Sequence, residues 1–493
     1  MWKPPQRIRH RTNPAGWPTS NEASQAGLFS PFRYGRMQHN DRTWVPAMVP
    51  WRATEGGEVS QDVIDWYTRF AEGKPGAIVV EATGIQDVPS GPLLRIGHDR
   101  FLPGLKALTQ AVKVASEGHT RLYIQLIDFL QIKRRPSADT FIDRFLPISD
   151  ELRNRLGALG KDDEQVKAQL KQLSVDELEV LLTPRDFESM TRGFRERVTD
   201  THLPHIAELP ERLPPLFAQA ALRAEEAGFD GVELHYAHAY TMASFLSALN
   251  TRSDGFGGSR ANRVRLPINV FEAVRSAVSD QFIVGCRMLS DECITDGSGQ
   301  EDARWFAQEF ARAGMDFISL SRGGKFEDAK EPKVGEAIYP YTGQSGYECM
   351  PQIISDEAGP FGRNEAASIS LRSHLRGLEL ETPIIVAGGI HSFEQAERIL
   401  KQEIGDFAAL ARQALADPDW FEKVRSGKGS QVRICEYTNY CEGLDQKHKM
   451  VTCQLWDRED LETDSLRLTP DGKRRTTAPK WVSNSAQASG QKT

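Results

Sequence analysis

Apolar residues in this chain gather into eight short runs: Thr43 to Val49, Ala77 to Ala82, Arg121 to Leu126, Gly231 to His235, Phe282 to Arg287, Asp316 to Leu320, Pro383 to Ala387 and Asp406 to Leu410. Runs of this length read as buried strands. Between them the spacing changes to a helical rhythm, at Asp62 to Glu72, Phe101 to Ser116, Leu213 to Ala227, Arg263 to Val278, Asp302 to Ala313, Glu365 to Arg376 and Ser392 to Lys401. Eight strands alternating with helices predict an α/β protein built as a (β/α)8 barrel, with an open doubly wound sheet as the alternative.

Other stretches break the rhythm. Residues 1–27 are rich in Pro, Arg, Asn and Ser and read as an irregular arm before a barrel spanning 28–458, and residues 459–493 read as a polar tail. Residues 132–210 are charged and helix-prone, with Val166, Gln169, Leu170 and Leu173, then Glu177, Leu178, Leu181 and Leu182, at helical spacing. Lying between the third strand and its helix, this insertion is expected above the barrel mouth, as decoration or as a lid. A second long loop, Ser321 to Asn364, is rich in Gly, Pro and Tyr and is expected at the same mouth.

Composition narrows the class. The chain has 493 residues, 39% hydrophobic and 26% charged, with a formal net charge of -7; this gives no reason to expect nucleic acid. No apolar run approaches the ~18 to 20 residues of a membrane span. Met1 to Arg11 is basic but lacks the apolar core of a signal peptide, and six cysteines in so long a chain do not make a disulfide scaffold. The expectation is a cytoplasmic enzyme acting on a small molecule, with self-association left open.

Candidate chemistry begins at His235-Tyr236-Ala237-His238-Ala239-Tyr240, directly after the run Gly231-Val232-Glu233-Leu234. Two imidazoles and a phenol leaving a strand's carboxyl end can hold a carbonyl and supply a proton. The two histidines also fit half of a metal site, but no third ligand stands near in the required rhythm. Downstream come Phe245-Leu246-Ser247, Asn250-Thr251-Arg252-Ser253-Asp254, Gly257-Gly258-Ser259 and Asn262-Arg263.

This ordered set resembles the Old Yellow Enzyme family of FMN-dependent ene reductases, and the resemblance runs from about Leu28 to Cys453. Within the ordered set from His235 to Arg263, only Ala261 departs, where the family usually has Glu. The resemblance implies a barrel holding FMN, reduced by NADH or NADPH, with Tyr240 as proton donor and His235 and His238 holding the substrate. It places Gln125 at the flavin's pyrimidine edge, Arg287 at its N1/O2 edge and Ala47-Met48 beneath it. Gly388 and Gly389 after the seventh strand, with Ala411 and Arg412 after the eighth, are expected at the phosphate. Backbone amides beside a fixed cation suit such an anion.

Two departures alter the expected pocket. Val49 stands where relatives carry a hydroxyl or thiol that reaches flavin O4, and Asp128 stands where they carry His. Cys435, Cys441 and Cys453 resemble the end of the 2,4-dienoyl-CoA reductase branch, whose four cysteines bind a [4Fe-4S] cluster. The spacing from Cys441 to Cys453 is kept, but Tyr437 and Thr438 stand at the second cysteine, which argues against a cluster. That branch's second flavin domain is not expected either: no Gly-x-Gly-x-x-Gly turn follows Cys453. The expected activity is NAD(P)H-driven reduction of an activated C=C bond. The alternative is a dehydrogenase that oxidises an amine or alicyclic substrate and passes electrons to a protein acceptor.

Overall fold

The computed structural model describes residues 2–14, 16–457, 469, 472–474 and 477–481. Eight parallel strands close on themselves: β1 Thr43–Val45, β2 Ala77–Gly84, β3 Arg121–Ile127, β4 Gly231–Tyr236, β5 Ile283–Leu289, β6 Ile318–Ser321, β7 Ile384–Ala387 and β8 Phe407–Ala409. Neighbours in sequence are neighbours in the wall, and β8 completes the circuit by pairing with β1 through Ala409 and Trp44. The expected (β/α)8 barrel is the observed fold. Helices α1 Gln61–Glu72, α2 Leu102–Ala115, α3 Leu209–Glu226, α4 Arg260–Ala277, α5 Gln300–Ala313, α6 Glu365–Arg376 and α7 Phe393–Lys401 surround it, within a few residues of the segments predicted.

Strand residues face either the barrel interior or the helix layer, and apart from polar positions such as Glu81, Gln125 and Glu233 both are lined by apolar side chains. Trp44, Val79, Tyr123, Ile283, Phe317, Ile385 and Phe407 fill the interior, while Val45, Ile78, Val80, Ile124, Val232 and Ile384 pack outward against the helices. This explains why the strands read as continuous apolar runs instead of alternating ones. The floor is closed by a hairpin, Phe32–Tyr34 with Met37–His39, whose Phe32 and Met37 join the interior cluster. His39 lies there against Trp44, Tyr123 and Phe407, with Tyr123 Oη 2.9 Å from its Nε2, and burial pushes its pKa down to about 4.

The 132–210 segment contains helices Ala138–Arg144, Asp150–Leu156, Asp163–Leu170, Val175–Leu181 and Pro184–Arg192. Each starts at a hydroxyl or carboxylate cap: Ser137, Ser149, Asp162, Ser174 and Thr183. Phe141, Ile142, Leu152, Val166, Leu170, Leu178, Leu182 and Met190 form a small core of their own. Its stem is tied by Lys133 N donating to Phe194 O at 2.8 Å and Glu196 N to Gln131 O at 2.9 Å.

The N-terminal arm is more ordered than its composition suggests. Ile8–Arg9 pairs with Ile354–Ser355, and Ser20–Gln25 is helical under a reciprocal cap between Thr19 and Glu22. Of the C-terminal tail, the described stretch 477–481 lies on the barrel: Arg69 bonds the carbonyls of Ala478 and Pro479 and pairs with Asp419. Among the described residues no helix is long and apolar enough to cross a membrane.

Candidate functional site

Strand register assembles a polar layer at the carboxyl end of the barrel. His235 of β4 stands opposite Arg287 of β5, which stands opposite Ser319 of β6. Arg287 donates from Nη1 to Ser319 Oγ at 2.9 Å and from Nη2 to Ser321 Oγ at 3.3 Å. One layer lower, Gln125 of β3 faces Glu233 of β4 and donates from Nε2 to its Oε1 at 2.6 Å. Glu233 is fully buried and its Oε2 has no hydrogen-bond partner among the described residues; burial raises its pKa while Arg287 opposes the rise. Glu233, Ser319 and Ser321 are absent from the sequence-based site. The signals were present, since a carboxylate inside an apolar strand and the Ile-Ser-Leu-Ser alternation of β6 each put polar groups inside a barrel.

The chain turns sharply after β4. His238 has φ of 60°, a left-handed conformation rare for a side chain with a Cβ. The turn sets the His238 ring perpendicular to that of His235 with centroids 5.3 Å apart, and Tyr240 lies 5.3 Å from His235. His238 Nε2 lies 2.8 Å from Ser321 Oγ, and its buried Nδ1 has no hydrogen-bond partner among the described residues. Burial, then Arg287, pushes His235 down to about 3; burial, His235 and Arg287 hold His238 well below its usual value. Both imidazoles are therefore neutral at pH 7, each with one donor and one acceptor. Tyr240 is pushed up to about 12, first by burial and then by Asp445, so it keeps its proton.

The two long loops meet over this trio. Tyr341, from the loop after β6, packs edge-on to His238 at 5.4 Å. That approach requires Gly324, where a Cβ would stand 2.7 Å from Tyr341 and 3.2 Å from His238. Ala239 shares an apolar cluster with Phe326, Ala329 and Ile338, and Ile132 of the insertion stem packs on it. Arg135 N donates to Glu336 O at 2.9 Å and Gly335 N to Arg135 O at 2.8 Å, and Arg195 pairs with Glu327 at 3.2 Å.

The motif downstream of the trio is a scaffold. Buried Arg252 bonds the carbonyls of Val198, Ile206 and Ala207 and the carboxylate of Asp254, and Asn250 bonds those of Phe245 and Phe256. Arg263 bonds Leu246 O, Ser298 and Asp302. Asp128 is buried and receives Gln86 Nε2 at 2.7 Å, so its carboxylate is engaged within the protein.

Ala387 and Ala409 are paired, so Gly388-Gly389 and Ala411-Arg412 leave neighbouring strands side by side. Gly388 and Gly389 have φ of 123° and 70°, and a Cβ on Gly389 would stand 1.9 Å from Pro360 O. Arg412 is fixed by Pro351 O at 2.7 Å, Asn439 Oδ1 at 2.6 Å and the Tyr437 ring 4.6 Å away. Ala47 abuts the interior cluster and Met48 the outer one.

Cys435 and Tyr437 share a small apolar cluster against which Cys453 packs, while Cys441 packs on the main core. Burial raises all three thiols, Cys441 and Cys453 to about 12, so they stay protonated. No group of three or more His, Cys, Asp or Glu is arranged to hold a metal ion among the described residues.

The strand ends can hold an anionic group between the Gly388-Gly389 backbone and the fixed Arg412 guanidinium. Ala47, Met48, Arg287, Gly388, Gly389, Ala411 and Arg412 all keep partial exposure at the strand ends. Residues 211–431 match the NADH:flavin oxidoreductase / NADH oxidase family. An NADH oxidase from Thermoanaerobacter brockii is 26% identical over 413 residues, covering 83% of this chain and 52% of that protein. Histamine dehydrogenase from Rhizobium sp. 4-9 superposes with a TM-score of 0.59 at 23% identity, covering 87% of this chain and 52% of that one. An old yellow enzyme homologue from Zymomonas mobilis gives 0.51 at 18%, covering 80% and 92%. The chain spans about half the length of the curated relatives it matches.

Proposed function

We propose that this protein binds FMN and uses NAD(P)H to reduce the C=C bond of an enone or enoyl compound. The observation that carries the reading is the neutral trio His235, His238 and Tyr240 beside Arg287. FMN, when bound, would supply hydride transfer, first from the nicotinamide and then to the substrate β-carbon. Gln125 and Arg287 would hold the pyrimidine edge, Ala47 and Met48 would lie under the ring, and Gly388, Gly389, Ala411 and Arg412 would hold the phosphate.

The substrate carbonyl would accept hydrogen bonds from His235 and His238. Two neutral donors in a buried setting favour an oxygen that gains negative charge as the β-carbon is reduced. Tyr240, protonated and on the same side, would give its Oη proton to the α-carbon. Buried Asp128, committed to Gln86, makes that side of the pocket less basic than an imidazole would.

The test is anaerobic mixing of the purified yellow protein with NADH and NADPH in turn, followed by cyclohexenone. Bleaching by a nicotinamide and recovery of colour with the enone, plus chromatographic release of FMN and not FAD, are expected. Bleaching by an amine with none by nicotinamides would establish the opposite direction, and absence of flavin would overturn every version.

A further inference from the structure

A tyrosine that protonates carbon must regain a proton each cycle, and the barrel strands offer Tyr240 no obvious source. The source lies in two segments far away in sequence. The Tyr240 and Tyr341 phenols lie close enough for each to influence the other's proton. The Tyr341 ring meets Tyr339 edge-on at 5.4 Å, and Tyr339 donates its hydroxyl proton to Oδ2 of Asp445. Trp51, just after β1, donates from Nε1 to the other carboxylate oxygen at 2.5 Å. Asp445 closes the short helix Tyr440–Asp445 and remains partly exposed. Three phenols thus stand in a row between the chemistry and a carboxyl group at the solvent edge.

We propose that Tyr341, Tyr339 and Asp445 relay a proton from solvent to Tyr240 after each substrate reduction. The inference rests on the proposed function. The Tyr240 O–H bond breaks as its proton joins the α-carbon. Tyr341 then reprotonates the Tyr240 phenolate, Tyr339 reprotonates Tyr341, and the Asp445 carboxyl reprotonates Tyr339. The Asp445 carboxylate takes a proton from water. One proton enters per substrate reduced and no electron travels along the chain. Tyr341 and Tyr339 are the transfer groups; Asp445 acts through them.

The groups facing Asp445 are Tyr339 and Tyr341 of the β6 loop, Tyr240 after β4, Glu81 of β2 and Glu442 of its own helix. His448 stacks on Trp51 at 4.2 Å and feels Arg134 of the insertion stem. Burial pushes Asp445 up to about 6, which keeps part of it protonated near neutrality.

The experiment compares FMN-loaded wild type with Asp445→Asn and Tyr339→Phe. Tyr240 starts each experiment protonated, so a single turnover of pre-reduced enzyme with cyclohexenone should stay within about twofold of wild type. Steady-state kcat should fall about tenfold or more, the scale of a lost proton-transfer group, with KM unchanged. The kcat inflection near pH 6 should vanish in Asp445→Asn. Infrared difference spectra of the flavin-free protein should lose a carboxyl band titrating in the same range, and acetate should restore turnover to Asp445→Ala. Equal losses in single and multiple turnover, or an unmoved pH profile in an active wild-type background, overturn the relay alone. A wild type that accepts electrons from NAD(P)H but returns none to an enone overturns the relay together with the proposed reaction.

Discussion

Gln125 donates a 2.6 Å hydrogen bond to Glu233, and the second oxygen of that buried carboxylate meets no partner among the described residues. The pair lies one layer beneath Arg287, whose positive charge favours the ionised carboxylate while burial opposes it. Glu233→Gln keeps the shape and removes the negative charge, leaving Arg287 less compensated. FMN bound over this layer should then become easier to reduce. Spectroelectrochemistry of the variant should show a higher midpoint potential, and an unchanged potential would mean that Glu233 does not sense the cofactor.

Arg412 is held by Pro351, Asn439 and Tyr437 before any ligand arrives, so it is a fixed cation. Arg412→Ala should weaken FMN retention by about 10- to 100-fold, the worth of one charge-assisted hydrogen bond of roughly 1.5–3 kcal/mol. Flavin release followed by fluorescence measures it. Undiminished retention would place the phosphate elsewhere.

Tyr240→Phe should spare flavin reduction by nicotinamide and slow reoxidation by an enone by about 10²-fold or more. His235→Ala should weaken enone binding as well as slow the same half-reaction, because it removes a donor to the carbonyl. Stopped-flow separation of the half-reactions decides between them. Equal damage to both half-reactions by Tyr240→Phe would make the phenol a structural group.

His39 supplies a pH dependence of stability. Its folded pKa is depressed to about 4 from 6.5, so below 6.5 the unfolded chain binds a proton that the folded chain refuses. Stability should be lost as pH falls from about 6.5 to about 4, at up to roughly 1.4 kcal/mol per pH unit from this one site. Urea titrations of His39→Gln should show a shallower loss over that window than wild type. A slope identical to wild type would mean that His39 does not titrate there.

The sequence carried the barrel because each strand is buried on both faces and shows as an unbroken apolar run, as in Ile78, Val79 and Val80. It carried the trio because His235, His238 and Tyr240 are adjacent in the chain. It did not carry Tyr339, Tyr341 or Asp445, which reach the trio from loops and a short helix where no periodicity marks a residue as inward-facing. Arg252 was visible as part of a motif, but its task of collecting three carbonyls from 198–207 exists only in three dimensions. The helix at Ser20–Gln25 was legible in principle from Thr19 and Glu22, but composition masked it.

Replacing Ala138–Arg192 with a short Gly/Ser link should spare flavin binding and raise KM for bulky enones, because the stem bonds at Lys133 and Gln131 are retained. Cutting further, to Pro210, would strip Arg252 of its carbonyl partners, and misfolding is expected. Steady-state kinetics of the shorter deletion are the check; unchanged KM would remove the segment from substrate selection.

The insertion's separate core, built from Phe141, Val166, Leu170, Leu178 and Met190, has a thermodynamic consequence. Its side chains hold one another and not the barrel wall, so the five helices form a unit that can melt while the barrel persists. Amide hydrogens in Asp163–Leu170 should exchange with a lower opening free energy than those of β4. The region bordering the barrel mouth would then be the first to open on heating, so warming would loosen access to the site well before the enzyme is lost.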